Sequence, residues 1–467
     1  MTALPMRFGS RNGATDFLPL LWLFLFALAI RWTYALGVYA AMGDSGIISA
    51  DGHGYMSDAR RMVEHLSAGT LQAAQWLGTD RSTMPVFSWL LALNVMAFGD
   101  KGAFAYVLTQ GVIDAVTCLF VYAMAAMVSG RFALPAGIAA ALNPTQIVLS
   151  GLVYTDTPFL LFVAIMLFGS LRWLRAPSLG SALIIGIGIG GAALTRILIL
   201  PWLPVLIVFL LGVVFFRRTF ALRHLAHAAV IAALTVSCVV PVISRNVFEH
   251  GAFALTSQGG VHLAYWVVPL VKEAKDGTPW ERTSEAMSKR VKAKYPDMPK
   301  NPFEASRLTA EVGREALGEL GYAAIVKAWV TGAVINLAAP AIILSPPVAQ
   351  LPRTGFYATP GAHIVEKVVN FMFRSDNRIY AWVLLLGVAG VALVRLLQLI
   401  GLVAVARVAP AAALLAVLWV SFILAVNGPV ASPKYRLPVE PALCLLTGAG
   451  FVLLRDWRKR RAKPGAS

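Results

Sequence analysis

What most constrains this chain is the length and spacing of its apolar runs. Windows near 17–41, 103–128, 132–150, 157–174, 179–196, 197–216, 228–243, 379–397, 409–427 and 437–455 each come close to the roughly 20 residues that cross a hydrocarbon core. A backbone in lipid must satisfy its own N–H and C=O groups, and a helix does so within one segment. The expected fold is therefore an all-α polytopic membrane protein. Stretches 84–98 and 321–345 are also apolar, which brings the bundle to about 10–12 transmembrane or interfacial helices. Composition agrees, since 467 residues at 58% hydrophobic and 13% charged exclude an ordinary soluble globule. The first run is longer than a signal-peptide core and no small-residue cleavage site follows it, so it reads as a span. We read residues 1–467 as a single membrane domain.

Charge orients the bundle. With the amino terminus in the cytoplasm, the inner segments carry Arg7, Arg11, Arg131, Arg172, Arg175, Arg217, Arg218, Arg223, Arg395, Arg407, Arg455, Arg458, Lys459, Arg460, Arg461 and Lys463, against only Asp16 and Asp456. That asymmetry is the positive-inside pattern. The net charge of +17 is thus a topology signal and an affinity for anionic lipid head groups, and it does not point to nucleic acid. Both termini are expected in the cytoplasm, with a basic tail at 455–467. The outer loops then fall near 42–102, 244–320 and 346–378. Parity forbids a single net crossing by 321–345, which carries Lys327, Pro340 and Pro346-Pro347. A helix at the outer interface, or one that dips in and returns, is expected there, and 84–98 should lie along the same surface.

Two charges fall inside spans. Arg31 is ten residues below position 41 and Asp114 eleven below 103, each roughly 15 Å deep at 1.5 Å per residue. Equal depth and opposite sign predict a structural ion pair, because an unpaired charge at that depth is costly. Cys118, Cys238 and Cys444 lie in predicted spans and read as small apolar fillers. The seven histidines show no metal-ligand spacing, and His224 with His227 reads as interfacial.

The chemistry-bearing residues gather at the outer ends. The first outer loop reads as a coil holding Asp51, then an amphipathic helix near 54–67 with Tyr55, Met62 and Leu66 opposite Asp58, Arg60, Arg61 and Glu64. Taken alone, Asp51 is a residue type common at helix caps and turns. Tyr154-Thr155-Asp156-Thr157-Pro158 opens one span, Thr195-Arg196 ends another, Ser244-Arg245-Asn246 follows a third and Lys434-Tyr435-Arg436 precedes the last. Arg196, Arg245, Lys434 and Arg436 thus share one interface with Asp51 and Asp156. Such a ring could hold a phosphate head group while a carboxylate acts as a base.

In this order the marks resemble the GT-C superfamily of integral-membrane glycosyltransferases, near the protein O-mannosyltransferases and the lipid A aminoarabinose transferase. Asp51-x-x-x-Tyr55-x-x-x-Ala59 with Gly69 is similar to the first-loop acidic motif, and Tyr154-Thr155-Asp156 to the acidic site opening a later helix. Leu194-Thr195-Arg196, Ser244-Arg245-Asn246 with Gly251, Ser257 and Gly259-Gly260, and Lys434-Tyr435-Arg436-Leu437-Pro438 with Pro441 resemble the remaining marks. Many relatives have two adjacent acids in the first loop, whereas Gly52 follows Asp51 here. A divalent metal is therefore an open possibility and no cofactor is assigned. The chain ends in a basic tail where oligosaccharyltransferase subunits carry a large soluble domain, so asparagine-linked transfer is not expected.

The resemblance implies a GT-C helical bundle and a polyprenyl-phosphate-linked sugar as donor. The acceptor would be a hydroxyl on lipid, polysaccharide or protein, and the site would face out of a bacterial cytoplasmic membrane. Asp51 is then the expected general base, with Tyr55, Asp156, Arg196, Arg245, Asn246, Lys434, Tyr435 and Arg436 binding donor or substrate. Segment 244–320, polar after its motif, is expected to form a solvated helical cover. The rival class is a transporter or flippase of lipid-linked saccharides. Against it, the charges cluster at one face and no inverted repeat or pair of Gly/Pro-broken spans is evident.

Overall fold

The computed structural model describes residues 17–78, 81–351, 359–374 and 378–461. Arg7, Arg11, Asp16 and the tail beyond Arg461 lie outside them. Every regular element among the described residues is helical. The first half contains α1 (Phe17–Met42), α2 (Ala50–Ser67), α3 (Pro85–Phe98), α4 (Gly102–Val128), α5 (Gly130–Ala141), α6 (Pro144–Ser150), α7 (Asp156–Arg175), α8 (Leu179–Ala193), α9 (Trp202–Phe216) and α10 (Leu222–His250). A polar group follows: α11 (Gly259–His262), which runs through one π turn into α12 (Val268–Asp276), then α13 (Trp280–Lys294) and α14 (Pro302–Leu320). The chain closes with α15 (Tyr322–Ala338), α16 (Pro346–Ala349), α17 (Ile364–Phe373), α18 (Arg378–Val408), α19 (Pro410–Asn427), α20 (Pro433–Arg436) and α21 (Glu440–Arg461). Among the described residues eight helical segments are long and apolar enough to cross a membrane, or ten if each of two bent pairs counts as one span.

The boundaries depart from sequence expectation where polar residues extend a helix. The α2 helix starts at Ala50, so Asp51 sits in its first turn and not in a preceding coil. Asp58, expected on the polar face of that helix, is buried. The α10 helix continues to His250, which places Ser244-Arg245-Asn246 inside its last turns. The window 179–196 is helical only over Leu179–Ala193. Arg395 does not end a span: α18 continues to Val408, and the guanidinium donates to the Leu337 carbonyl at 3.0 Å. The segment predicted at 321–345 forms α15, set at 102° to α14 across Gly321.

A buried polar seam crosses the bundle where α5 breaks from α6. Arg31 Nε lies 2.8 Å from Asp114 Oδ2, both residues almost wholly buried. The same guanidinium donates to the carbonyls of Ala140 (3.0 Å) and Ala141 (2.5 Å), satisfying acceptors at the end of α5. The side chain of Asn143 caps α6 through the backbone N–H groups of Thr145 and Gln146. Gln146 donates to Asp114 (2.9 Å) and Asn143 to Glu440 (2.8 Å). Glu440 in turn accepts from Arg436 at 2.7 Å. Each charge in the seam therefore has a partner, as a low-dielectric interior requires.

Candidate active site

The site assembles at the end of the bundle where α1 finishes and α7, α9 and α21 begin. Amphipathic α2 buries Met56, Ala59 and Met62, which fixes its rotation and leaves Asp51 more than half exposed at its first turn. Chain reversal through α20 brings Lys434 opposite, with Nζ 3.2 Å from Asp51 Oδ2. The ammonium also lies over the Tyr154 ring, 3.8 Å from its centroid, a cation–π contact that restrains a long side chain.

Beside this contact, Asp156 opens α7 and pairs with Arg196. The carboxylate is almost wholly buried, and its second oxygen, Oδ2, has no hydrogen-bond partner among the described residues. A buried acceptor left open can take a hydrogen bond from a hydroxyl or N–H group. Arg196 packs over the Phe159 ring, 5.9 Å from its centroid. Tyr55, one helical turn after Asp51, packs edge-on against Phe87 at 4.8 Å. Burial pushes its hydroxyl up to about 12, with Lys434 opposing and Asp51 adding, so Tyr55 stays neutral and can donate or accept a hydrogen bond. Tyr106 beneath donates to the Tyr154 carbonyl at 3.0 Å, holding the turn that leads into α7.

Three expected donor-binding residues are engaged elsewhere. Arg245 is buried, and its guanidinium donates to the carbonyls of Leu77 (2.5 Å) and Gly78 (3.2 Å) and to Asn246 Oδ1 (2.9 Å). Asn246 donates to the Ala254 and Leu255 carbonyls, folding the chain back after α10. Arg436 is buried and donates to Glu440, Thr145 and the carbonyls of Asn336 and Ala339. These side chains hold the walls of the site. Asp51, Tyr55, Asp156, Arg196, Lys434 and Tyr435 form its centre, the last through a ring on the same short helix as Lys434.

Sequence reasoning missed Tyr154 as a cation platform and His262 as a neighbour of Arg196. The first was visible only as part of a motif and the second had no motif. Burial lowers the His262 pKa and the Arg196 charge lowers it further, so the imidazole is neutral near pH 7. Among the described residues no group of three or more His, Cys, Asp or Glu side chains is placed to hold a metal ion.

Residues 80–244 match the family described as dolichyl-phosphate-mannose-protein mannosyltransferase. The archaeal oligosaccharyltransferase AglB of Archaeoglobus fulgidus, solved with an inhibitory peptide and a dolichol-phosphate, superposes over 97% of this chain and 52% of its own, with a TM-score of 0.52 at 12% identity. The chain shares the fold of that neighbour. It spans about half the length of that neighbour. ArnT of Cupriavidus metallidurans, in its apo state, matches over 94% of this chain and 78% of its own at 17% identity, with a TM-score of 0.38. No curated protein matches the sequence. The matched segment 80–244 runs from α3 through most of α10, so it includes Asp156 and Arg196 but neither Asp51 nor Lys434.

Proposed function

We propose that this protein is a GT-C glycosyltransferase that transfers a sugar from a polyprenyl-phosphate donor to a hydroxyl acceptor, at the outer face of a bacterial cytoplasmic membrane. The observation that carries this reading is the 3.2 Å contact between Asp51 and Lys434. It sets a solvent-accessible base against a cation at the end of the bundle where a lipid phosphate would sit. The matched mannosyltransferase family supports a lipid-linked donor, and the asymmetry of basic residues supports the outward face.

In the reaction the Asp51 carboxylate takes the proton of the acceptor hydroxyl as the acceptor oxygen bonds to the anomeric carbon. The bond from that carbon to the phosphate oxygen breaks, and its electron pair leaves with the polyprenyl phosphate. Attack opposite the leaving group inverts the anomeric centre. Lys434, held beside Asp51, stabilises with Arg196 the charge that grows on the departing phosphate. The open oxygen of Asp156 accepts a sugar hydroxyl, and Tyr55 and Tyr435 line the donor side. Arg245, Asn246 and Arg436 act by holding the loops that carry these groups.

The test compares membrane lipids and surface glycans, by mass spectrometry, from cells with and without the protein. One sugar should disappear from the glycans while its polyprenyl-phosphate donor accumulates. Unchanged glycans, with scrambling of a labelled lipid-linked saccharide by the purified protein, would replace the transferase reading with a transporter.

A further inference from the structure

Helix α15 carries one polar side chain whose placement its apolar sequence does not explain. Asn336 is fully buried, while Val326, Val330 and Val334 on the same helix are exposed. Burying an amide costs free energy unless its groups are paired, and here both are paired to one loop. Asn336 Oδ1 accepts from the backbone N–H of Ser432 at 3.0 Å, and Nδ2 donates to the Val430 carbonyl at 3.3 Å. That loop leads directly into α20 and Lys434.

The docking continues along one face of α15. A Cβ on Gly332 would lie 2.2 Å from the Gly428 carbonyl oxygen, so helix and loop backbones touch there. One turn on is Asn336, and beyond it the Asn336 and Ala339 carbonyls accept from Arg436 at 2.9 and 2.7 Å. Positions 332, 336 and 339 follow the spacing of one helix face. Within the loop, Ser432 Oγ caps α20 by accepting from Lys434 N at 3.3 Å. Asn427 donates to the Tyr435 carbonyl at 2.8 Å. The loop is thus templated on α15 from Gly428 to Arg436, with the Asn336 amide at its middle.

We propose that Asn336 is a positioning residue for phosphate binding: it fixes the 430–436 turn so that the Lys434 ammonium is held at Asp51. The proposal rests on the assignment of Lys434 to the donor phosphate. A hydrogen bond to the backbone on each side of the turn leaves the lysine's origin little freedom, so less entropy is lost when phosphate binds. Loss of the amide frees the turn and lets the lysine visit orientations away from the site.

The test is a double-mutant cycle on the full-length protein in nanodiscs, titrated with farnesyl phosphate as the probe. Asn336→Ala should weaken binding about tenfold, and in the Lys434→Met background it should add less than about twofold. A general structural role would instead weaken binding by the same factor in both backgrounds, and that result overturns the proposal. So does unchanged binding by Asn336→Ala where Lys434→Met weakens it. Unchanged binding by Lys434→Met overturns the phosphate assignment itself, and the inference with it. Should Asn336→Ala fail to fold, Asn336→Ser removes the amide that spans Ser432 and Val430 without burying a charge. Ser432→Ala removes the α20 cap. Each should show the same dependence on Lys434, and independence from Lys434 would contradict the proposal.

Discussion

Lys434 and Asp51, 383 positions apart in sequence, meet through a 3.2 Å ion pair that closes the candidate site. The lysine is mostly buried and the aspartate mostly exposed, so the pair presents its carboxylate to solvent and its cation to the interior. Lys434→Met removes the charge and keeps much of the side-chain volume. It should lower kcat/KM for transfer by about 100-fold, the scale of one lost oxyanion donor, with folded yield unchanged. A loss confined to yield would assign the lysine to stability alone.

Arg31 and Asp114 form a further long-range pair, and they are unequal partners. Asp114 serves Arg31 and Gln146, whereas Arg31 also holds the carbonyls of Ala140 and Ala141. Removing either charge should cost about 3–5 kcal/mol by leaving the other buried and unpaired. In a thermal-melt comparison, Asp114→Leu combined with Arg31→Met should be less damaging than the sum of the two. Arg31→Met alone should be the worse single change, because the end of α5 loses its donors. Strict additivity would contradict this account.

The depth argument from sequence found that pair because charge inside an apolar run is a strong signal, and counting residues fixes depth along a helix. Position at the ends of the predicted spans likewise gathered Asp51, Asp156, Arg196 and Lys434. What sequence did not reveal is direction. Arg245 and Arg436 have the same local pattern as Lys434, yet their guanidinium groups turn to backbone carbonyls. Only the tertiary arrangement decides which end of such a side chain meets water. Asn336 gave no signal, because one amide in an apolar run carries neither charge nor periodicity. The sequence places Asp51 in a coil because Gly52 and Gly54 weaken the helical pattern locally, while burial of Met56 and Met62 recovers it.

Close backbone contact sets the packing of α18 against α21. A Cβ on Gly401 would lie 1.8 Å from the Leu446 carbonyl oxygen, the small-residue approach common between membrane helices. Gly401→Val should separate the pair and cost about 1–3 kcal/mol as overpacking, read as a lower melting temperature. Gly390 on the same helix has open space at its Cβ position, so Gly390→Val should leave melting nearly unchanged. Equal effects at both positions would argue against this helix pairing.

Acid should loosen the polar helices α12–α14 before the rest. Four of their carboxylates are held below the ordinary range: Asp276 by hydrogen bonds from Lys272 and Thr278, Glu285 by Lys289, Glu311 by Tyr295 and Lys294, and Glu319 by Arg290, while burial raises Glu273. A carboxyl with a depressed folded pKa contributes stability that is fully present above its unfolded value and is lost as pH falls through the folded one. Hydrogen-exchange protection over residues 280–320, corrected for intrinsic rate, should therefore fall as pH drops below about 4, while α4 stays protected. Flat protection would show that these pairs do not hold the cover together.

The most direct test of the account is turnover by Asp51→Asn, which keeps size and helix position while removing the base. The measurement is single-turnover transfer by purified, folded protein, using the polyprenyl-phosphate sugar that accumulates in cells lacking it. Transfer should be abolished while farnesyl phosphate still binds; transfer at the unmodified rate would contradict Asp51 as the base and with it the proposed mechanism.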